Sequence, residues 1–412
     1  MPPSRARSQP LEYNILLTAT LCLLAFGAIM VYSASSASTV LQSQGDGTSF
    51  LIRYVMYGAI GLVALNILSR RGLDLVARAT GPLLAISFVL LVAVKMPGIG
   101  VTVNGARRWI GAGPLQFQPA ELMKLAMVLY AVKLLATRPK IVRELRTLMP
   151  LLLVAGSACL LIASQPDLGT ALVIAFTLTT LLVVAGVSIR HLLIAGGVCA
   201  VLVLIFVLIE PYRRARLTAF LNPWADASNS GFQSVQGQVA IGSGGLFGRG
   251  LGQSVQKAFF LPEAHTDFIL AIIGEEIGVI GVSAVLFLYG LVAYAGLRVA
   301  KAARGSYGKL LATGLTSMIV CQGMLNVFAV LGLAPLTGVP LPFVSYGSTN
   351  LMVLLASMGL LLNIAGGGVA HVRAVPDRGK RGSRRDDDRA DRSGRDGRAR
   401  GARAGGRRRA TG

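Results

Sequence analysis

Residues Gly231–Gly278 read GFQSVQGQVAIGSGGLFGRGLGQSVQKAFFLPEAHTDFILAIIGEEIG. Long apolar runs lie on both sides, so this Gly- and Gln-rich stretch is the largest interruption before the tail in a chain of membrane-length segments. Glu263, His265 and Asp267 gather at its exit, at the mouth of the next apolar run. A carboxylate beside hydrocarbon is costly to keep, which makes Asp267 the first candidate for chemistry.

Working outward, apolar runs of about 20 residues, the length that crosses a bilayer, precede it at Tyr13–Tyr32, Leu51–Leu68, Leu75–Val94, Pro119–Leu135, Leu148–Ser164, Gly169–Val187 and His191–Ile209. They follow it at Asp267–Leu297, Leu310–Leu333 and Ser345–Ile364. The expected fold is an all-α polytopic membrane protein of about ten transmembrane helices over residues 13–366. A large extracytoplasmic loop at 210–266 separates helices 7 and 8. The first run exceeds the roughly 7–15 apolar residues of a signal peptide, so it reads as an uncleaved helix after a short N-terminus at 1–12.

Composition agrees. Of 412 residues, 53% are hydrophobic and 14% charged, with mean hydropathy +0.64, which excludes an ordinary soluble domain. The net charge of +22 is concentrated: after Ala370 there are 15 basic and 6 acidic residues and almost no large apolar ones. Residues 367–412 therefore read as a disordered Arg-rich tail with modest affinity for anionic membrane lipids. No aromatics interleave with its arginines, so no nucleic-acid partner is expected. The four cysteines (Cys22, Cys159, Cys199 and Cys321) lie in apolar runs and read as small buried hydrophobes, and three scattered histidines offer no zinc constellation.

Loop charge sets an orientation. Arg70, Arg71 and Arg78, then Arg138, Lys140, Arg143 and Arg146, then Arg190, then Arg298, Lys301, Arg304 and Lys309 all fall in loops on the side of the basic tail. The positive-inside rule makes that side, and both termini, cytoplasmic. Three basic groups oppose the rule: Arg107 and Arg108; Arg213, Arg214 and Arg216; and Arg249 with Lys257. Three clusters facing one outer compartment favour an anionic ligand such as a phosphate over plain solvated loops.

Polar residues inside the spans add candidates. Glu121 and Lys124 are three apart in Gln118-Pro-Ala-Glu-Leu-Met-Lys124 and share a face; they read either as a self-neutralised pair or, slightly favoured, as a cation facing an internal cavity. Asp167 reads equally as a first-turn carboxylate favoured by the helix dipole or as a substrate contact. At least one of Glu275 and Glu276 is expected to face the bundle interior. The glycines from Gly242 to Gly252 lack the strand that a nucleotide-binding loop needs and read as a flexible or re-entrant loop. The prolines of Gly338-Val-Pro-Leu-Pro-Phe-Val-Ser345-Tyr-Gly347 imply broken backbone, tolerated at membrane depth only where it lines protein or a wet cavity.

Together these pieces resemble the SEDS (shape, elongation, division and sporulation) family, most closely its cell-division branch, over about residues 12–366. The resemblance rests on Asn104-Gly-Ala-Arg-Arg-Trp-Ile110, Gln118–Lys124, Gln165-Pro-Asp-Leu-Gly-Thr170, Leu261-Pro-Glu-Ala-His-Thr-Asp-Phe268 and Pro340–Gly347. Where the family usually continues with Gly-Ser-Ser, this chain has Ser348-Thr349-Asn350.

The resemblance implies a peptidoglycan glycosyltransferase that polymerises lipid II at the outer face of the cytoplasmic membrane, with septal synthesis favoured and elongation-type synthesis the alternative. It also implies a class B penicillin-binding protein as transpeptidase partner, and contact with other division proteins. By this resemblance Asp267 is the catalytic residue. Its surroundings for substrate are expected to include Arg107, Arg108, Trp109, Gln118, Glu121, Lys124, Asp167, Arg214, Glu263, His265, Thr266, Ser345 and Tyr346. The chemistry suits them: a carboxylate can deprotonate an acceptor hydroxyl, and cations can offset a pyrophosphate leaving group, with or without Mg²⁺ or Mn²⁺. Such an ion would need oxygen ligands; no organic cofactor is expected. The rival readings are a lipid II transporter, against which the polar groups concentrate away from the midplane, and a silent scaffold, which leaves Asp267 without a purpose.

Overall fold

The computed structural model describes residues 10–41, 47–103, 105–112, 115–142, 144–209, 211–229, 231–259, 261 and 264–370. The Arg-rich tail from 371, Arg143 and Glu263 lie outside the described residues. Within them the ten apolar runs form helices: α1 (Leu11–Leu41), α2 (Ser49–Arg70), α3 (Leu73–Ala93), α4 (Pro119–Thr137), α5 (Leu145–Ala163), α6 (Leu168–Val184), α7 (Ile189–Ile209), α11 (Ile269–Ala302), α12 (Gly305–Val330) and α13 (Ser348–Ala365). Between α7 and α11 come the shorter α8 (Pro211–Leu221), α9 (Phe232–Gly244) and α10 (Gln256–Phe259).

Eight of these helices are long and apolar enough to cross a membrane. The other two of the ten are α6, with 17 residues, and α4, which carries Glu121, Lys124 and Lys133. Both are sheltered by neighbours: α4 packs on α3, α6 and α12, and α6 on α5 and α12. Among the described residues the most extensive helix pair is α2 on α13, where a Cβ on Gly359 would stand 2.6 Å from the Leu65 carbonyl, so only glycine lets the backbones meet. No residue of α7 is buried, and that helix stands at the periphery; its Cys199, like Cys22 of α1, is exposed on the apolar outer surface, which corrects the expectation of four buried cysteines.

The two ends of the bundle differ. At one end Arg298 meets Glu12 at 3.3 Å, and the Asn363 amide donates to the carbonyls of Leu68 and Ser69. That end holds the start of α1, the basic α2–α3 turn and the basic α11–α12 turn. At the other, Phe50 at the start of α2 packs on His265 and Tyr346.

Two local expectations are corrected. The segment around Arg107 and Arg108 is not a plain loop but a three-stranded antiparallel sheet, β1 (Gly100–Val103), β2 (Ala106–Ala112) and β3 (Leu115–Phe117). The Gly-rich stretch, expected as a flexible or re-entrant loop, holds regular structure. It contains α9, which packs along the first turns of α11, and α11 itself breaks at Gly278 (φ 76°, ψ −163°). The groups freed by that break are bonded: Val279 N–H donates to the Gly245 carbonyl, while Arg249 and Gly250 N–H donate to the carbonyls of Glu275 and Glu276. A Cβ on Gly278 would lie 2.5 Å from Gly248 N, which explains glycine on both sides. The apolar span of α11 therefore runs over Gly278–Ala302, and Ile269–Ile277 is a separate short arm above it.

Candidate active site around Asp267

The hub of this end is the chain from Ala334 to Gly347, which has no regular structure yet is held on every side. Gln322 donates to the Pro340 carbonyl at 2.9 Å, Tyr289 to that of Pro342, and Tyr54 to that of Phe343. Ser345 Oγ accepts from Leu341 N–H at 2.8 Å. The carbonyls of Pro340, Pro342 and Phe343 in this broken backbone are thus satisfied by protein side chains. Ser345 is buried, with its hydroxyl engaged in this turn.

Asp267 stands half-buried against this hub, one residue before Phe268, which anchors in the core. Thr266 Oγ1 donates to Asp267 Oδ1 at 3.0 Å. Asn326 of α12 donates to the Asp267 carbonyl at 2.7 Å and to the Val339 carbonyl at 2.8 Å, clamping the two strands of chain together. Asp267 and Asn326 line one recess with Leu336, Thr337, Gly338 and Val339. Asn326 carries no motif signal; it sits in the apolar run of α12, and only the fold brings it to Asp267.

His265 and Tyr346 are joined by backbone, Tyr346 N–H donating to the His265 carbonyl, and by a ring cluster with Phe50 whose centroids lie 4.2 to 5.6 Å apart. Burial pushes the Tyr346 phenol above the usual tyrosine range, opposed by its hydrogen bond and charge interaction with Arg53.

Asp167 caps α6: Oδ1 accepts from Thr170 N–H at 3.1 Å and Oδ2 from Thr170 Oγ1 at 2.9 Å. Gln118 Nε2 donates to the same Oδ2 at 3.0 Å. The cap abuts the hub, since a Cβ on Gly169 would lie 2.6 Å from the Thr337 carbonyl. Ser348, Thr349 and Asn350 knit in the sheet and α4. Ser348 donates to the Gln116 carbonyl, Thr349 accepts from Gln118 N–H, and Asn350 accepts from Gln322.

Glu121 and Lys124 pair at 2.8 Å, both almost wholly buried. Lys124 Nζ also donates to Gln322 Oε1 at 2.7 Å and Asn350 Oδ1 at 3.4 Å. Lys124 is thus both a partner in a self-neutralised pair wired to the Pro340 turn and part of the lining of a small internal recess with Met127, Val128, Val173 and Thr177. A buried ammonium needs such partners to stay charged.

The outer cations separate. Lys257 is buried and donates to Glu276 and to Ser33 of α1, so it is not free to meet an external anion. Arg249 stands 3.6 Å from the buried Glu275 carboxylate. Arg213 stacks 3.7 Å over the Phe206 ring and donates to its carbonyl. Arg214 is exposed, whereas Arg216, which shares a helix face with Arg213, reaches the Leu336 carbonyl at 3.4 Å, beside the Asp267 recess. On β2, Arg107 is exposed, Trp109 is half-buried opposite Val101, and Arg108 keeps a buried Nε with no partner.

Comparison with known proteins follows this geometry. Residues 14–367 match the family described as cell cycle protein, that of FtsW, RodA and SpoVE. The chain belongs to this family. It is 42% identical to stage V sporulation protein E of Bacillus subtilis (strain 168) over 352 residues, 85% of this chain and 96% of that protein. It is 38% identical to the probable peptidoglycan glycosyltransferase FtsW of Geobacter sp. (strain M18), with the same coverage. Among solved structures, it resembles a chain from work on coordination of polymerization and crosslinking by a peptidoglycan synthase complex. That likeness has 32% identity and a TM-score of 0.70, covering 85% of this chain and 96% of the other. The rod shape determining protein RodA of Thermus thermophilus matches at 30% identity and a TM-score of 0.63, over 85% of this chain and 95% of that one. For this family member, the polytopic helical fold agrees with that of solved relatives over 85% of the chain.

Proposed function

We propose that this chain is a peptidoglycan glycosyltransferase that polymerises lipid II, with Asp267 as its catalytic carboxylate. The observation that carries the reading is the placement of Asp267: half-buried at the end of the bundle, held by Thr266 and by the Asn326 clamp, on the wall of a recess. The names borne by relatives that match most of the chain support the same reaction.

In this reading the acceptor hydroxyl lies within hydrogen-bond reach of Asp267, which takes its proton as the oxygen attacks the donor's anomeric carbon. The bond from that carbon to the pyrophosphate breaks, and the lipid pyrophosphate leaves with the electron pair. Its charge is met by Arg216 and Arg214 of α8 and by Arg108 and Arg107 of β2. Among the described residues no group of three or more His, Cys, Asp or Glu could hold a metal ion. A Mg²⁺ or Mn²⁺ ion, if one is used, would have Asp267 as its carboxylate ligand in this recess and would supply charge compensation to the pyrophosphate.

In this reading the Arg298–Glu12 end faces the cytoplasm, as do both termini, and the Asp267 end faces outside; the basic turns at the first end support it by the positive-inside rule. A single-pass class B penicillin-binding protein is the proposed transpeptidase partner, and the division septum the proposed location. Glycan-strand synthesis from lipid II by the purified protein, with and without that partner, tests the reading; lipid transport without strand synthesis would favour a transporter instead.

A further inference from the structure

Two side chains that line the Asp267 recess each carry a buried polar atom without a hydrogen-bond partner: Asn326 Oδ1 and Thr337 Oγ1. A buried polar atom without a partner costs free energy, and such atoms are uncommon in folded proteins. The Asn326 amide cannot be turned to relieve the problem. Its nitrogen donates to two carbonyls, of Asp267 and Val339, and a flipped amide would set its oxygen against both. The acceptor is therefore fixed by the same clamp that fixes Asp267.

We infer that Asn326 Oδ1 and Thr337 Oγ1 form a subsite for a neutral hydrogen-bonding group of the sugar, a hydroxyl or acetamido N–H next to the hydroxyl that Asp267 deprotonates. This rests on the glycosyltransferase reading above. The pairing suits a neutral sugar group: Asn326 Oδ1 only accepts, whereas Thr337 Oγ1 both donates and accepts. The phosphates are met elsewhere, because an acceptor oxygen repels an anion. Arg216, which reaches the adjacent Leu336 carbonyl, marks the border between the two zones.

Thr337→Val is the discriminating variant, because it removes the hydroxyl and keeps the shape. Removing an unpartnered buried hydroxyl leaves folding stability unchanged or raised. If the hydroxyl binds sugar, kcat/KM for lipid II polymerisation falls about threefold to tenfold, the worth of one neutral hydrogen bond. Thr337→Ser keeps the hydroxyl and restores activity. Both are measured beside the wild type, in complex with its transpeptidase partner, together with thermal unfolding. Wild-type kinetics in Thr337→Val would overturn the subsite while leaving the glycosyltransferase reading intact, and so would a loss of activity matched by a loss of stability. Wild-type protein that makes no strands would remove the reading and the subsite together.

Discussion

Lys257 and Glu276 lie 2.7 Å apart, both nearly closed to solvent, and tie the short α10 to the arm of α11 just above the Gly278 break. Ser33 of α1 donates to the same carboxylate, so three elements meet at one buried charge pair. The segment that the sequence presents as a loop is fastened to the bundle by an interaction that only the fold reveals.

Breaking this pair by Lys257→Met leaves Glu276 charged, buried and without its cation, and costs about 3–5 kcal/mol. Replacing both partners, as Lys257→Met with Glu276→Leu, recovers most of that loss. Thermal unfolding of the two single variants and the double in one detergent measures it; independent, additive losses would contradict the pairing.

Gly278→Ala forces a side chain into backbone geometry that is nearly glycine's alone and sets its Cβ against Gly248. The backbone term is about 1–3 kcal/mol, and the overlap adds to it. A clear drop in unfolding temperature is expected, whereas Gly290→Ala, with no atom within 4 Å of its added Cβ, leaves stability near wild type.

Arg216→Ala is expected to lower kcat/KM on lipid II by about tenfold, as loss of a charge-assisted contact to phosphate does. Arg214→Ala, on the exposed face of α8, changes it less. Steady-state kinetics of both variants decide the order, and a larger effect at Arg214 would move the phosphate to the other face of the helix.

The ten spans were legible because runs of apolar residues need no partner to be recognised, and the chain at Asp267 because a carboxylate there stands out against hydrocarbon. The sheet at residues 100–117 was not, since its strands have only 4, 7 and 3 residues. Nor was the role of the glycines: Gly248 meets Gly278 across 30 residues, by backbone packing that leaves no periodicity. The arginines and lysines looked alike in the sequence, yet Lys257 and Arg213 are engaged within the protein and Arg216 reaches the recess. What separated them was burial and the direction of one helix face. Asn326 was silent for the same reason, its partners being 59 residues back and 13 residues on.

Asp267→Asn tests the central claim most directly. Asparagine matches aspartate in size and keeps the backbone carbonyl that Asn326 holds, so the fold and partner binding should persist. It cannot take a proton, and general-base catalysis contributes about 10²–10⁴-fold. The measurement is glycan-strand synthesis from lipid II by wild-type and Asp267→Asn protein at matched expression, each with its transpeptidase partner. The account predicts strand synthesis by the wild type and a fall of at least 10²-fold in the variant. Near-normal strands from a folded, partner-bound Asp267→Asn protein would contradict it.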